Sequence, residues 1–199
     1  MKFEDYEGHI FDCDGTITDS MPLHFLAWRE AMKRFGIVFS EDRFYEMAGM
    51  PTDKIIGILA AEQGKTVDIQ KAATMKEDCF IERISEVKPI PFVMDSIERA
   101  IKSGKKISVA SGGTRKAVNL QLVAVGLADT FEVCVTAEDT ERHKPEPDVF
   151  LKAAEWMGVE PGKCCVYEDG DLGIQAANKA GMGVVDIRKF HRPIRLKAN

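Results

Sequence analysis

The sequence has little of what staples, anchors or tethers a protein. Its 199 residues include five cysteines, at 13, 79, 134, 164 and 165, with no CxxC pair. Neither a disulfide framework nor a thiolate zinc site is therefore written into it. An odd count without a framework reads as reduced thiols, and a cytoplasmic location is expected. No apolar run approaches the ~20 residues that a bilayer span requires. The opening Met1-Lys2-Phe3-Glu4-Asp5 lacks the apolar stretch of a secretory signal. Basic excess is absent too: 27 Lys and Arg stand against 32 Asp and Glu, for a net charge of −5. Duplex nucleic acid, which needs clustered cations, is set aside as a partner. There is no internal repeat and no low-complexity stretch.

What remains is ordinary globular composition, 45% hydrophobic and 30% charged. A chain of this length can bury roughly 70% of its unfolded surface, enough for one good core with a smaller subdomain. Five short apolar or β-branched segments read as strands: Gly8 to Asp12, Lys106 to Ala110, Phe131 to Val135, Cys164 to Tyr167 and Gly183 to Ile187. Helical patterns at Thr114 to Val125, Asp148 to Met157 and Gly173 to Ala180 separate the last four, each with a glycine stop just beyond it. Alternation of strand and helix implies right-handed βαβ crossovers and a parallel, doubly wound sheet.

Residues 19–88 contain no convincing strand. One helix opens at Ser20 and Pro22 and closes at Gly36. A second is capped by Thr52. A third is capped by Asp68, with its apolar stripe running to Val87. Lys88-Pro89-Ile90-Pro91 reads as a linker. The expected division is a core of 1–18 and 89–199 with a helical insertion of 19–88. An insertion after the first strand sits at the carboxyl edge of the sheet, where open α/β folds place their crevice.

Four clusters stand at or near strand ends or helix starts. The first strand runs into Asp12-Cys13-Asp14-Gly15-Thr16, and alternation lets both carboxylates point to one side. Such a pair repels itself unless a cation or a shared proton compensates. The strand end itself is expected to be exposed. The second strand leads into Ser111-Gly112-Gly113 before a helix, where hydroxyl and amides can meet a phosphate. Lys144 lies between His143 and Pro145, in a loop stiffened by Pro145 and Pro147. The fourth strand ends in Glu168-Asp169-Gly170-Asp171, oxygen donors of the kind that suits magnesium. Taken singly, each has a plain structural reading: an Asp turn, a capped helix, a solvated lysine.

Together, in this order and spacing, they resemble the haloacid dehalogenase superfamily of phosphotransferases. Asp12 to Ser20 is similar to its first motif, Ser111 to its second, Lys144-Pro145 to its third and Glu168-Asp169 to its fourth. Glu168 to Ala177 followed by Ala180-Gly181-Met182 looks closest to the branch of β-phosphoglucomutases and fructose-1-phosphate phosphatases. The resemblance implies a Rossmann-like five-stranded parallel sheet in the order 3-2-1-4-5, carrying a small α-helical cap.

It also implies a magnesium-dependent phosphatase for a small phosphate ester, a sugar phosphate above all, working as a monomer or weak dimer. Asp12 is then the nucleophile that becomes an aspartyl-phosphate, and Asp14 the acid and base. Ser111 with Gly112 and Gly113 holds the phosphoryl oxygens, and Lys144 offsets their charge. Mg2+ falls to Asp12, Asp14 through its carbonyl, and Asp169, with Glu168 against a metal-bound water or Lys144. Asp171 is either an outer partner of the metal or a turn residue. In the cap, His24 matches a histidine beside Asp14, and Gly49 lies on the loop over the substrate. Lys76 is a candidate contact whose plain reading is a solvated helix lysine. The branch's mutases carry Lys before that glycine and Arg three residues after it. Ala48 and Thr52 stand there instead, which favours a phosphatase over a β-phosphoglucomutase-type mutase.

Overall fold

Period-two alternation in the strands decides which side chains face which layer. In the computed structural model, which describes residues 2–195, five strands form one parallel sheet: β1 Gly8–Phe11, β2 Lys106–Ala110, β3 Val133–Val135, β4 Cys164–Glu168 and β5 Gly183–Asp186. Their order is β3-β2-β1-β4-β5, as expected. Ile10, Ala110, Cys164 and Val166 face one apolar cluster, and Phe11, Val109, Cys165 and Tyr167 the other. The first layer is closed by α7 (Asp148–Met157) and α8 (Asp171–Lys179) through Phe150, Ala153, Ala176 and Ala177. The second is closed by α5 (Pro91–Lys102) and α6 (Arg115–Ala124) through Val93, Ile97, Val118 and Leu122.

Between β1 and α5 lie four helices: α1 Met21–Arg34, α2 Glu41–Glu46, α3 Thr52–Glu62 and α4 Ile69–Ile81. Phe25, Trp28, Met32, Phe44, Ile56 and Leu59 give them an apolar cluster of their own. A further cluster, with Leu23, Phe80 and Val87 against Ala117, ties α1 and α4 to α6. The two ends of this helical segment are hydrogen-bonded together: Asp19 N donates to Lys88 O at 2.8 Å and Ile90 N to Ile17 O at 3.0 Å.

Several local expectations need correction. Residues 88–91 do not lead into a plain linker, because Pro91 starts α5. Proline has the φ a first helical residue needs and gives up no hydrogen bond there. Helix α2 is only six residues long, too short to show a period, and is started by Ser40, whose hydroxyl accepts from Arg43 N. Thr52 is the first residue of α3, after Pro51, not its cap. Helix α4 stops at Ile81 instead of reaching Val87. Arg83 N bonds back to Phe80 O and its guanidinium takes the Cys79 carbonyl, which tightens the turn. None of the five cysteines is bridged. Among the described residues no helix is long and apolar enough to cross a membrane.

His9, fully buried in β1, stacks on Phe3 with ring centres 4.2 Å apart. Its Nδ1 lies 3.3 Å from the Tyr167 hydroxyl, and its Nε2 has no hydrogen-bond partner. Burial, helped by Lys105 and Arg99, lowers its pKa from 6.5 to about 4. The unfolded chain therefore takes up this proton first as pH falls. The His9 contribution to stability is intact above about pH 6.5 and is lost toward pH 4, by up to about 3 kcal/mol. Urea unfolding at pH 7 and pH 4.5 is expected to show a smaller acid loss in His9→Gln than in wild type. Equal losses would place the acid sensitivity elsewhere.

Candidate active site

Hydrogen bonds extend the ladder beyond the strand ends and fix the loops that leave them. Asp12 N donates to Tyr167 O and Ser111 N to Val135 O, so both residues stand where the sheet stops. Asp12, Asp14, His24, Gly49, Lys76, Ser111, Gly112, Gly113, Lys144, Glu168 and Asp169 all line one cavity of about 450 Å³. It lies between the carboxyl ends of the strands and helices α1, α3 and α4. Every residue singled out in the sequence for catalysis, metal or substrate is thus brought to one place. Asp171, the undecided one, turns away and pairs with Arg188 at 2.6 Å.

The two carboxylates of the first loop have different partners. Asp12 is only 5% exposed, contrary to the expected exposed strand end. Its Oδ1 accepts from Lys144 Nζ at 2.7 Å, and the same ammonium donates to Glu168 Oε2 at 2.7 Å. The other Glu168 oxygen accepts from the amides of Asp169 and Gly170. Asp14 Oδ1 instead meets His24 Nε2 at 2.7 Å and accepts from Ser20 Oγ at 2.7 Å. Asp169 accepts from Thr16 Oγ1 at 3.0 Å.

These partners drive the two carboxyls apart electrostatically. Burial, then the Glu168 charge, raises the Asp12 pKa well above the usual range, although Lys144 pulls the other way. Asp169 is pushed up to about 8 by burial and Glu168. Burial also opposes ionisation of Asp14, but His24, Ser20 and Gln121 outweigh it and hold that carboxyl below the carboxylate range. Burial disfavours the Lys144 ammonium, yet Asp12 and Glu168 bind its proton more tightly than water would. His24 is lowered, chiefly by burial and then by Lys76, despite Asp14.

One oxygen each from Asp12, Glu168 and Asp169 fall within 4.8 Å of one another. Three carboxylates, Asp12 and Glu168 buried and Asp169 half-buried, face one ammonium there. That charge deficit and an all-oxygen donor set suit a small hard divalent cation.

Lys76 is not a solvated helix lysine. It is buried, 3.4 Å from the Glu77 carboxylate, with its ammonium over the rings of Trp28 and Phe80. Phe80 stacks on His24 at 3.7 Å, so it links the two cavity groups. Sequence reasoning gave no partner to Thr16, Ser20, Glu77 or Phe80. Thr16, Glu77 and Phe80 meet groups far along the chain or on another helix, and Ser20 reaches back six residues to Asp14. Sequence reasoning also passed over two glycines. A Cβ on Gly15, which has φ +79°, would lie 2.2 Å from Asp169 Oδ2, and one on Gly173 would lie 2.1 Å from Glu168 Cδ. Only glycine lets these acids come in against the backbone.

Helix propensity alone favours Gly173→Ala by about 1 kcal/mol. Overpacking against Glu168, itself held by Lys144 and two amides, costs about 1–3 kcal/mol. The clash is expected to win. Gly173→Ala should unfold at a lower temperature than wild type, whereas Gly162→Ala, with nothing within 4 Å, should not. A Gly173→Ala variant as stable as wild type would mean that Glu168 is free to step aside.

Known proteins resemble this chain in sequence and in fold. The haloacid dehalogenase-like hydrolase family model matches residues 9–187. The chain is 35% identical over 187 residues to a fructose-1-phosphate phosphatase of Escherichia coli (strain K12), covering 94% of this chain and 98% of that protein. It is 30% identical over 186 residues to a β-phosphoglucomutase of Bacillus subtilis (strain 168), covering 89% of this chain and 81% of that one. The crystal structure of a β-phosphoglucomutase from Clostridium difficile superposes with a TM-score of 0.81 at 26% identity, over 92% of this chain and 86% of that one.

Proposed function

Because the chain belongs to the haloacid dehalogenase-like hydrolase family, we propose that it is a magnesium-dependent phosphatase of small phosphorylated metabolites, with a sugar phosphate as substrate. Of the division 1–18 and 89–199 against 19–88, residue 1 and residues 196–199 lie outside the described residues; within them 2–18 and 89–195 form the catalytic core, and 19–88 the cap that selects the ester. One observation carries the reading. Two carboxylates of a single loop share a cavity, Asp12 held by Lys144 and Asp14 by His24.

Asp12 is the nucleophile. Its oxygen attacks phosphorus, the bond from phosphorus to the ester oxygen breaks, and an aspartyl-phosphate forms. The leaving oxygen takes a proton from Asp14. In the free protein Asp14 is the more acidic of the two. A bound phosphate dianion adds negative charge beside it and raises its affinity for a proton. His24 and Ser20 keep its carboxyl oriented through both halves of the reaction. Asp14 then takes a proton from water, which attacks phosphorus and releases inorganic phosphate and the Asp12 carboxylate. Ser111, whose Oγ accepts from Gly113 N at 3.0 Å, and the amides of Gly112 and Gly113 hold the phosphoryl oxygens. Lys144 offsets their charge, and Glu168 positions Lys144.

Asp12, Asp169 and the Asp14 carbonyl would hold Mg2+, with Glu168 against a metal-bound water or Lys144. When bound, the ion supplies charge neutralisation between phosphate and nucleophile. Ala48 and Thr52 line the cavity without charge, which supports hydrolysis over a mutase that must hold a second phosphate.

Incubation with a panel of hexose and polyol phosphates is expected to release inorganic phosphate. Asp12→Asn should lose at least ~10²-fold of this rate, the scale of losing one acid–base group, and more as nucleophile. Conversion of β-glucose 1-phosphate to glucose 6-phosphate faster than phosphate release would promote the mutase.

EDTA should abolish turnover and magnesium restore it. Magnesium should also raise the unfolding temperature of wild type, by mass action on the folded state, and not that of Asp169→Asn. An equal rise in both would take Asp169 out of the metal site.

A further inference from the structure

Among the described residues, Lys76 and Lys144 are the only lysine or arginine side chains on the wall of the 450 Å³ cavity. Lys144 is already shared between Asp12 and Glu168. Lys76 is the one cation on the helical side, and Glu77 stands beside it. The Glu77 carboxylate lies 3.4 Å from Lys76 Nζ through one oxygen. Through the other it accepts from Thr114 Oγ1 at 2.7 Å. Thr114 caps α6 and follows Ser111-Gly112-Gly113 directly. Glu77 therefore spans from α4 to the loop assigned to the phosphoryl group, and it too lines the cavity.

We propose that Glu77 is a specificity-determining residue of this site, turning away esters that carry a second anionic group and admitting those whose far end is neutral. The proposal rests on the phosphatase reading and deepens it. Two effects act in the same direction. Glu77 occupies the Lys76 charge, so a carboxylate or second phosphate on the substrate finds no uncommitted cation. Glu77 also places a negative charge on the wall itself, and Asp53 adds another. Uncharged hydroxyl groups meet no such penalty, since Glu77 and Gln70 offer them hydrogen-bond acceptors. In a cavity of low effective dielectric, like charges a few ångströms apart discriminate strongly.

Two six-carbon esters that differ only at the end remote from phosphorus isolate the effect. Sorbitol 6-phosphate ends in a hydroxymethyl group, and 6-phosphogluconate in a carboxylate. Each is added as a competitor of p-nitrophenyl phosphate hydrolysis, for wild type and Glu77→Gln, and the inhibition constants are compared. Wild type should bind the polyol ester more tightly. Glu77→Gln should shift the ratio toward 6-phosphogluconate by ~10-fold, the size of one like-charge contact partly screened by solvent. Rising salt should narrow the ratio in wild type, a measurement that does not depend on the variant folding. A ratio that neither the substitution nor salt moves would overturn the proposal, as would equal weakening of both esters in the variant. Failure of wild type to hydrolyse p-nitrophenyl phosphate or any ester in the panel would instead overturn the phosphatase reading, and this proposal with it.

Discussion

Crowding of carboxylates at the carboxyl edge of the sheet is the constraint on which the rest of this structure depends. Asp12, Glu168 and Asp169 come together there, and burial with the neighbouring Glu168 charge makes Asp12 and Asp169 resist ionisation. One ammonium, Lys144, sits between two of them at 2.7 Å. Lys144 comes from a loop 132 residues beyond Asp12. The sheet order, which sets β1 between β2 and β4, makes that meeting possible. The same arrangement explains Gly15 and Gly173, since no larger residue lets Asp169 and Glu168 approach the backbone so closely.

The site divides labour between two carboxylates only two residues apart. Asp12 is tied to a lysine and to the acid cluster, Asp14 to a histidine and a serine from the start of the helical segment. Their proton affinities are pushed in opposite directions, the condition under which paired acids take different roles. The helical segment thus contributes to the electrostatics of the site as well as covering it. His24 reaches Asp14, Phe80 stacks on His24, and Lys76 lies over Phe80.

Much of this was legible in the chain. The five strands show as short apolar runs because both faces of the sheet are covered. The four motifs show because chemistry needs specific atoms at or near strand ends, where few other residue types serve. Legibility failed where a residue's meaning depends on a distant partner. Lys76 has the surroundings of a solvated lysine in sequence, yet in space it lies against Trp28, Phe80 and Glu77. Helix α5 was hidden by a proline pair that reads as a break, and α2 by its length.

Sequence by itself determined the sheet, its layers, the family and the identity of the chemical groups, because alternation, helical period and motif spacing are local properties of the chain. The resemblance already set His24 beside Asp14 and offered Lys144 to Glu168. Tertiary structure alone decided that Lys144 also meets Asp12, that Ser20 meets Asp14 and that Thr16 meets Asp169. Strand order and the docking of α1 and α4 on the sheet edge set those distances, and a charge in a buried place is governed by what lies within a few ångströms of it. Asp12 and Asp14 are the same residue type on the same loop. Burial beside Glu168 and Asp169 raises the pKa of the first, while the histidine and serine beside the second lower its own, and that makes them different acids.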